Sequence, residues 1–194
     1  MRRVVLTGGP GAGKTGGARA VEASLEGRGV VIPEAATEIY TRLNTRWDKL
    51  DLEGRRDAQR AMYQLQVKQE IEFADRYPDR VLLHDRGTID GAAYWPDGPA
   101  AFWEAVGTTH ADELTRYDTV LWLETAAALG IYDGDASNAV RFEDPLAAIA
   151  SGEILRTLWG NHPNIRHIGA FVHLDDKIAA VIEVLRPIVE RATK

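Results

Sequence analysis

The octet "GGPGAGKT", residues 8–15, has the residue types and spacing of a loop that binds a nucleotide phosphate. Its glycines let backbone N–H groups converge on the phosphate, and a helix that opens there turns the positive end of its dipole toward the anion. In this pattern the lysine reaches the β- and γ-phosphates and the following hydroxyl coordinates Mg²⁺. The sequence therefore predicts ATP and Mg²⁺ as cofactors. The residues predicted to bind the nucleotide are Gly9, Gly11, Ala12, Gly13, Lys14 and Thr15.

A charged pair follows the apolar run "VLL" further along the chain. Asp85 is predicted to hold Mg²⁺ beside Thr15, and the alternative is that it caps the next helix. The planar fork of Arg86 suits a phosphate or carboxylate on a substrate, and a structural salt bridge is the alternative. Asp90, one helical turn later, could line the same cleft. Asp85 and Arg86 are thus candidate catalytic residues.

Glu34 follows another apolar run, "VVI". A carboxylate there could accept the proton of a substrate hydroxyl as that hydroxyl attacks the γ-phosphate. The alternative is a plain surface carboxylate. Glu38, four residues later, would share the same helix face. Lys14 and Glu34 are therefore also candidate catalytic residues, with Lys14 on the nucleotide side of the transferred phosphoryl and Glu34 on the acceptor side.

The region 126–144 is predicted to be a lid. Residues 132–139 are rich in glycine, aspartate, serine and asparagine, which is typical of a mobile loop. Arg141 is predicted to bring its cation to the transferring phosphoryl, with Arg156 as a second candidate. The alternative is that Arg141 forms a surface pair with Glu143 or Asp144.

Predicted strands and helices alternate along the chain, and they must position the candidate residues named above. Strands are predicted at 3–7, 30–35, about 80–85 and 118–124, with a fifth within 164–174. Helices are predicted at 14–26, 37–44, 55–77 and 145–159 and at the carboxyl end. In helix 55–77, Tyr63, Val67, Ile71 and Ala74 have helical spacing. Near-continuous apolar strands predict an α/β fold with a parallel sheet covered on both faces, and its ligands at the carboxyl ends of the strands.

Composition narrows the class of protein. The 194 residues predict one domain, 1–194, and a net charge of −6 argues against a nucleic-acid partner. The chain has no cysteine, which excludes disulfides and thiolate metal sites and fits a cytoplasmic location. No apolar stretch approaches the roughly 18 residues of a membrane span, and the amino-terminal run breaks too early for a signal peptide. The oligomeric state stays open.

The segments "VVLTGGPGAGKT", "VVIPEAATEIY", "LLHDRGTIDGAAYW" and "VRFEDPLAAIA" together resemble a family of P-loop kinase-like proteins. That family includes the ribosylnicotinamide-kinase domain of the bifunctional NAD regulator and many small ATP-binding proteins described as AAA domains. The resemblance implies a P-loop NTPase fold with a kinase-type, five-stranded parallel sheet. It also implies that Glu34 and Asp85–Arg86 surround an acceptor hydroxyl and that Arg141 is the lid arginine. Gly16 and Gly17 depart from the family, which has Ser/Thr and a larger residue there.

These observations favour a kinase that transfers the γ-phosphoryl of ATP to a nucleoside-like or other small metabolite. The given chain has no adenylyltransferase domain, so a role with NAD is one possibility among several. A GTPase is disfavoured because the sequence has no Asn-Lys-x-Asp motif, and a ring-forming motor because Asp85 is followed by arginine. A nucleotide-hydrolysing switch or a regulatory ATPase remains the alternative.

Overall fold

The computed structural model describes residues 2–130 and 145–192, and its centre is a parallel sheet. The described strands are Arg3–Thr7 (β1), Gly29–Ile32 (β2), Val81–Asp85 (β3), Thr119–Leu123 (β4) and Ile165–Ile168 (β5). They lie in the order β2-β3-β1-β4-β5, and every neighbouring pair is parallel. The predicted five-stranded parallel sheet is confirmed.

Helices connect these strands. The α-helices are Lys14–Ser24 (α1), Ala35–Arg42 (α2), Leu52–Arg76 (α3), Pro99–Val106 (α4), His110–Leu114 (α5), Pro145–Trp159 (α6) and Leu174–Ala192 (α7). Short 3₁₀ helices occupy Trp47–Lys49, Thr88–Tyr94 and Ala126–Leu129. None of the helices in the described ranges is long and apolar enough to cross a membrane.

The core lies on both faces of the sheet, because successive side chains of a strand point to opposite faces. In β1, Val4 and Leu6 belong to the buried cluster that also contains Val181 of α7. Val5, between them, belongs to a second buried cluster with Trp159 of α6. All five side chains are fully buried, which confirms helices on both faces.

Several boundaries differ from the prediction, and the end of β2 and the start of α3 are each shifted by three residues. The strand predicted over 30–35 ends at Ile32, and α2 already begins at Ala35. β2 is the edge strand of the sheet, where proline is tolerated, and Pro33 directly follows its last residue. Helix α3 begins at Leu52 because Asp51 caps it by accepting a hydrogen bond from the Gly54 N–H at 2.8 Å.

The predicted lid lies mostly outside the described residues. Its first part, Ala126–Leu129, is a 3₁₀ helix capped by Thr125, whose hydroxyl accepts a hydrogen bond from the Ala127 N–H at 3.2 Å. Residues 131–144 are not described, so the predicted role of Arg141 stays a prediction.

Candidate functional site

The phosphate-binding loop joins β1 to α1 at the carboxyl edge of the sheet. Its geometry depends on glycine at two positions. A Cβ on Gly8 would lie 2.1 Å from the carbonyl oxygen of Leu123, the last residue of β4, so only a hydrogen fits there. Gly13, directly before α1, has a φ of 76°, which side chains rarely allow. Glycine is therefore needed at position 8 because the β4 backbone passes so close, and at position 13 because of the positive φ.

Lys14 lies folded over this loop and is buried. Its Nζ donates hydrogen bonds to the carbonyl oxygens of Gly8 at 2.7 Å and Gly9 at 2.8 Å. Thr125 donates a hydrogen bond to the Pro10 carbonyl at 2.6 Å, which ties the loop to the segment after β4. The lysine cation is thus held where an entering phosphate would meet it.

The sheet brings Asp85 close to the phosphate loop. Asp85 is the last residue of β3 and pairs in register with Leu6, two residues before the loop. Its side chain is 2% exposed, and its Oδ1 has no hydrogen-bond partner in the described part of the chain. Thr15 is exposed in the first turn of α1, as a hydroxyl that reaches a bound metal must be.

These two groups fit Mg²⁺, a cation that takes one or two protein oxygens and completes its shell with phosphates and water. Within residues 2–130 and 145–192 there is no group of three or more histidine or acidic residues that could hold a metal by itself. Thr15 and Asp85 offer a hydroxyl and a carboxylate oxygen, and they would be the protein ligands of a Mg²⁺ ion that arrives with the nucleotide.

Arg86 lies between two carboxylates. Its Nε donates to Glu34 Oε1 at 2.5 Å and its guanidinium donates to Asp90 Oδ2 at 3.2 Å. Glu34 also accepts a hydrogen bond from the Thr37 hydroxyl at 2.9 Å. Burial by itself lowers the pKa of Arg86, but Tyr94, Asp90 and Asp85 raise it above the ordinary value. The guanidinium therefore stays charged and keeps both carboxylates in place.

Asp90 connects this group to the phosphate loop. It accepts hydrogen bonds from the hydroxyl of Thr7, the last residue of β1, at 2.9 Å and from Trp159 Nε1 at 2.8 Å. Thr7 directly precedes Gly8, so the Glu34–Arg86–Asp90 group lies beside the loop. The structure thus brings together the sequence-predicted residues on the acceptor side.

A cleft that is open to solvent lies over this group. Its walls are mostly apolar and aromatic, with a few polar groups that converge on it, as is typical of small-molecule sites. The lining residues are Glu34, Ala35, Ala36, Tyr40, Trp47, Asp48, Gln59, Met62, Tyr63, Gln66, Arg86, Gly87, Thr88, Asp90, Gly91 and Tyr94.

The sequence did not indicate the part of this cavity that α3 forms. Gln59, Met62, Tyr63 and Gln66 lie at helical spacing and line one wall. The predicted apolar face of α3 was wrong in part, because Ile71 is 55% exposed. The glutamines at positions 59, 66 and 69 are buried instead. Their spacing was the available signal, but polar residues on a helix ordinarily mark its solvent side.

The remaining candidates have other surroundings. His84 is fully buried within β3. Tyr94 lines the cavity, and Trp95 and Trp103 pack around Phe102 in the core. Arg156 is exposed and pairs with Glu153 at 2.6 Å.

The strand order and the loop define a P-loop NTPase fold of the kinase type. Residues 3–169 match the family described as AAA domain, and the chain therefore belongs to this family. No curated protein matches the sequence.

Two solved structures show the same fold at low identity. One is described as a crystal structure of NadR protein in complex with NAD and AMP-PNP, with a TM-score of 0.64 and 14% identity. The match covers 97% of this chain and 49% of the NadR chain, so the present chain spans about half of that protein's length. The other is deoxyadenosine kinase from M. mycoides with products dCMP and a flexible dCDP bound, with a TM-score of 0.62 and 12% identity. That match covers 95% of this chain and 99% of the kinase.

Proposed function

We propose that the protein is an ATP-dependent kinase that phosphorylates a hydroxyl of a small, nucleoside-like metabolite. The observation that carries this proposal is the cleft lined by Glu34, Arg86 and apolar and aromatic side chains, directly beside the phosphate loop. A nucleotide switch or a regulatory ATPase needs room for water next to the γ-phosphate, but not a cleft with apolar and aromatic walls of the kind that receives a small molecule. The described neighbours add support, because one is a deoxyadenosine kinase and the other carries AMP-PNP.

The reaction is an in-line displacement at the γ-phosphorus. The acceptor hydroxyl forms a new O–P bond, the bond between the γ-phosphorus and the bridging oxygen breaks, and ADP leaves with that electron pair. The acceptor proton passes to a carboxylate, for which Glu34 and Asp85 are the candidates. Lys14 holds the β- and γ-phosphates through the transfer. Thr15 and Asp85 would hold Mg²⁺, which would supply positive charge to offset the charge of these phosphates.

Charge at the cavity favours an acceptor without a phosphate of its own. Among the described lining residues, Glu34, Asp48 and Asp90 carry negative charge, and Arg86 carries the positive charge. The Arg86 guanidinium already pairs with Glu34 and Asp90. An anionic acceptor would therefore meet more negative than positive charge, whereas a neutral or cationic one would not. This supports a nucleoside-like acceptor over a nucleoside monophosphate.

The test is release of ADP from Mg·ATP in the presence of an acceptor panel. The panel pairs each nucleoside or related neutral alcohol with its phosphorylated form. We expect ADP release to depend on a neutral or cationic acceptor, with the phosphorylated acceptor identified by mass spectrometry. ADP release at the same rate with every acceptor and with none would contradict the kinase and support the ATPase alternative.

A matched pair of variants, one at the residue directly before α2 and one within α2, sharpens this test. Glu34→Gln removes a charge in the cavity, whereas Glu38→Gln makes the same change where the carboxylate pairs with Arg42 outside it. We expect Glu34→Gln to lower kcat by about a hundredfold or more, the range for loss of a general base, with ATP affinity unchanged by calorimetry. Glu38→Gln should retain turnover. Equal turnover in the two variants would remove Glu34 from the reaction.

A further inference from the structure

The turn after β3 holds Arg86 in an unusual backbone conformation. Arg86 has a φ of 78°, a region that residues other than glycine rarely adopt. Such conformations persist only where surrounding contacts hold them, and they concentrate at functional sites. Because this φ sets the direction in which the side chain leaves the backbone, it also sets where the guanidinium lies in the cavity.

Hydrogen bonds to Gln66 and Tyr117 hold both sides of this turn. On one side, Gln66 Nε2 donates to the Arg86 carbonyl oxygen at 3.4 Å and to Glu70 Oε1 at 3.3 Å. On the other side, the Thr88 N–H donates to Tyr117 Oη at 2.8 Å, and Tyr117 Oη donates to the same Glu70 oxygen at 2.8 Å. Glu70 Oε1 thus accepts hydrogen bonds from both residues that hold the turn, Gln66 on the Arg86 side and Tyr117 on the Thr88 side of Gly87.

Glu70 is itself anchored from several elements. It is fully buried and does not line the cavity. Arg116 donates to its Oε2 at 2.6 Å, and a guanidinium nitrogen of Arg3 lies 3.9 Å from the same oxygen. His84 Nδ1 lies 3.4 Å from Oε1. A buried carboxylate with several charged and polar neighbours has little freedom to move. Glu70 is therefore a rigid support for the turn.

We infer that Gln66, Glu70 and Tyr117 act as positioning residues that hold Arg86 at positive φ and so keep its guanidinium between Glu34 and Asp90. We call these three residues the turn clamp. The inference rests on the proposed function, because Arg86 matters to phosphoryl transfer only if the cavity takes an acceptor. Glu70 and Tyr117 would then affect the acceptor side of the reaction without touching the acceptor.

The test uses Tyr117→Phe, which removes the hydroxyl between Thr88 and Glu70, and Gln66→Met, which removes the amide that holds the Arg86 carbonyl. Gln69→Met is the matched control, since Gln69 is also buried on α3 but donates to Glu38 at 3.2 Å rather than to the turn. The first readout is solvent exchange of the Arg86 Nε–H, followed by NMR without any ligand. This proton bonds to Glu34 and reports whether the guanidinium is held.

We expect Nε–H exchange at least about tenfold faster in Tyr117→Phe and Gln66→Met, and unchanged in Gln69→Met. The second readout is kinetic. In Tyr117→Phe, which leaves the cavity lining intact, kcat/KM for the acceptor should fall at least about tenfold while ATP affinity stays within about twofold. Equal exchange in all three variants and wild type, or equal acceleration in all three, would overturn the clamp.

The two proposals can fail separately. If wild-type protein phosphorylates no acceptor, the proposed function fails, and Nε–H exchange still decides whether the clamp holds Arg86. If phosphoryl transfer occurs but exchange and kcat/KM are unchanged in the clamp variants, the clamp fails alone. Should Tyr117→Phe not fold, Gln66→Met carries the exchange test by itself.

Discussion

Replacing Asp90 by alanine would remove the carboxylate that connects Thr7, directly before the phosphate loop, to Arg86 in the cavity. Asp90 is 3% exposed and accepts hydrogen bonds from Thr7, Trp159 and Arg86. Without it, Trp159 Nε1 loses its acceptor inside the core, and the Arg86 charge loses one of its carboxylate partners but keeps the ion pair with Glu34. The Thr7 hydroxyl can turn to another acceptor, so it adds little.

The magnitude follows from these losses. Breaking a buried ion pair costs about 3–5 kcal/mol, and a buried donor without an acceptor costs about 1–3 kcal/mol. Because Glu34 still compensates Arg86, we expect Asp90→Ala to lower the free energy of unfolding by about 4 kcal/mol rather than by the sum. Asp90→Asn keeps an oxygen for Trp159 and Thr7 and loses only the charged contact with Arg86. Its expected cost is about 2 kcal/mol, within the range for one hydrogen bond to a charged group.

The assay is urea unfolding at neutral pH, followed by circular dichroism. Asp97→Ala is the control, since it also removes an aspartate that pairs with an arginine, Arg56, but at the surface, where solvent screens the pair. We expect Asp90→Ala, Asp90→Asn and Asp97→Ala to be destabilised in decreasing order. A cost for Asp90→Ala no greater than that for Asp97→Ala would refute the view that Asp90 holds the site together.

Four further predictions concern single residues. Lys14→Ala should abolish turnover or weaken ATP binding with the fold intact, and wild-type protein without nucleotide affinity by calorimetry would contradict the phosphate-loop assignment. Asp85→Asn should lower turnover far more than ATP binding, and normal turnover would make Asp85 structural. Arg141→Ala should lower kcat at least about tenfold with little change in ATP affinity, and normal turnover with the true acceptor would favour a surface ion pair. Burial lowers the pKa of Lys177 from 10.5 to about 8, more than nearby Glu124 raises it, so the unfolded chain binds more protons between these values. The free energy of unfolding should therefore rise from about pH 8 to about pH 10 in wild type, and the same slope in Lys177→Met would assign it to other groups.

Sequence reasoning identified the phosphate-loop motif and proposed candidate residues for both sides of the proposed reaction. Lys14 and Thr15 belong to a contiguous motif whose geometry is local, since glycines and one helix start create it. Glu34 and Asp85 were found for a different reason. Each comes at the end of an apolar run, and the carboxyl ends of parallel strands meet at one edge of the sheet. Strand order was not needed for that step, only the alternation of strands and helices.

The partners of these residues were not predictable from the sequence. The alternatives for Arg86 were a substrate group and a structural ion pair, and the structure places its guanidinium between Glu34 and Asp90. That contact joins residues 52 positions apart, and it depends on β2 and β3 being neighbours and on a positive φ at a non-glycine residue. Neither the adjacency of β2 and β3 nor the positive φ can be read from the order of residues along the chain.

The sequence by itself determined that this chain forms a parallel α/β sheet with a phosphate loop at its carboxyl edge, because apolar periodicity and glycine spacing act over short stretches. Only the tertiary structure decided which face of α3 looks into the cavity. Ile71, one of the apolar residues at helical spacing, is exposed, whereas Gln59 and Gln66 line the cavity. The physical reason is that polar side chains are buried where distant partners or a cavity receive them, and those partners come together only when the whole chain has folded.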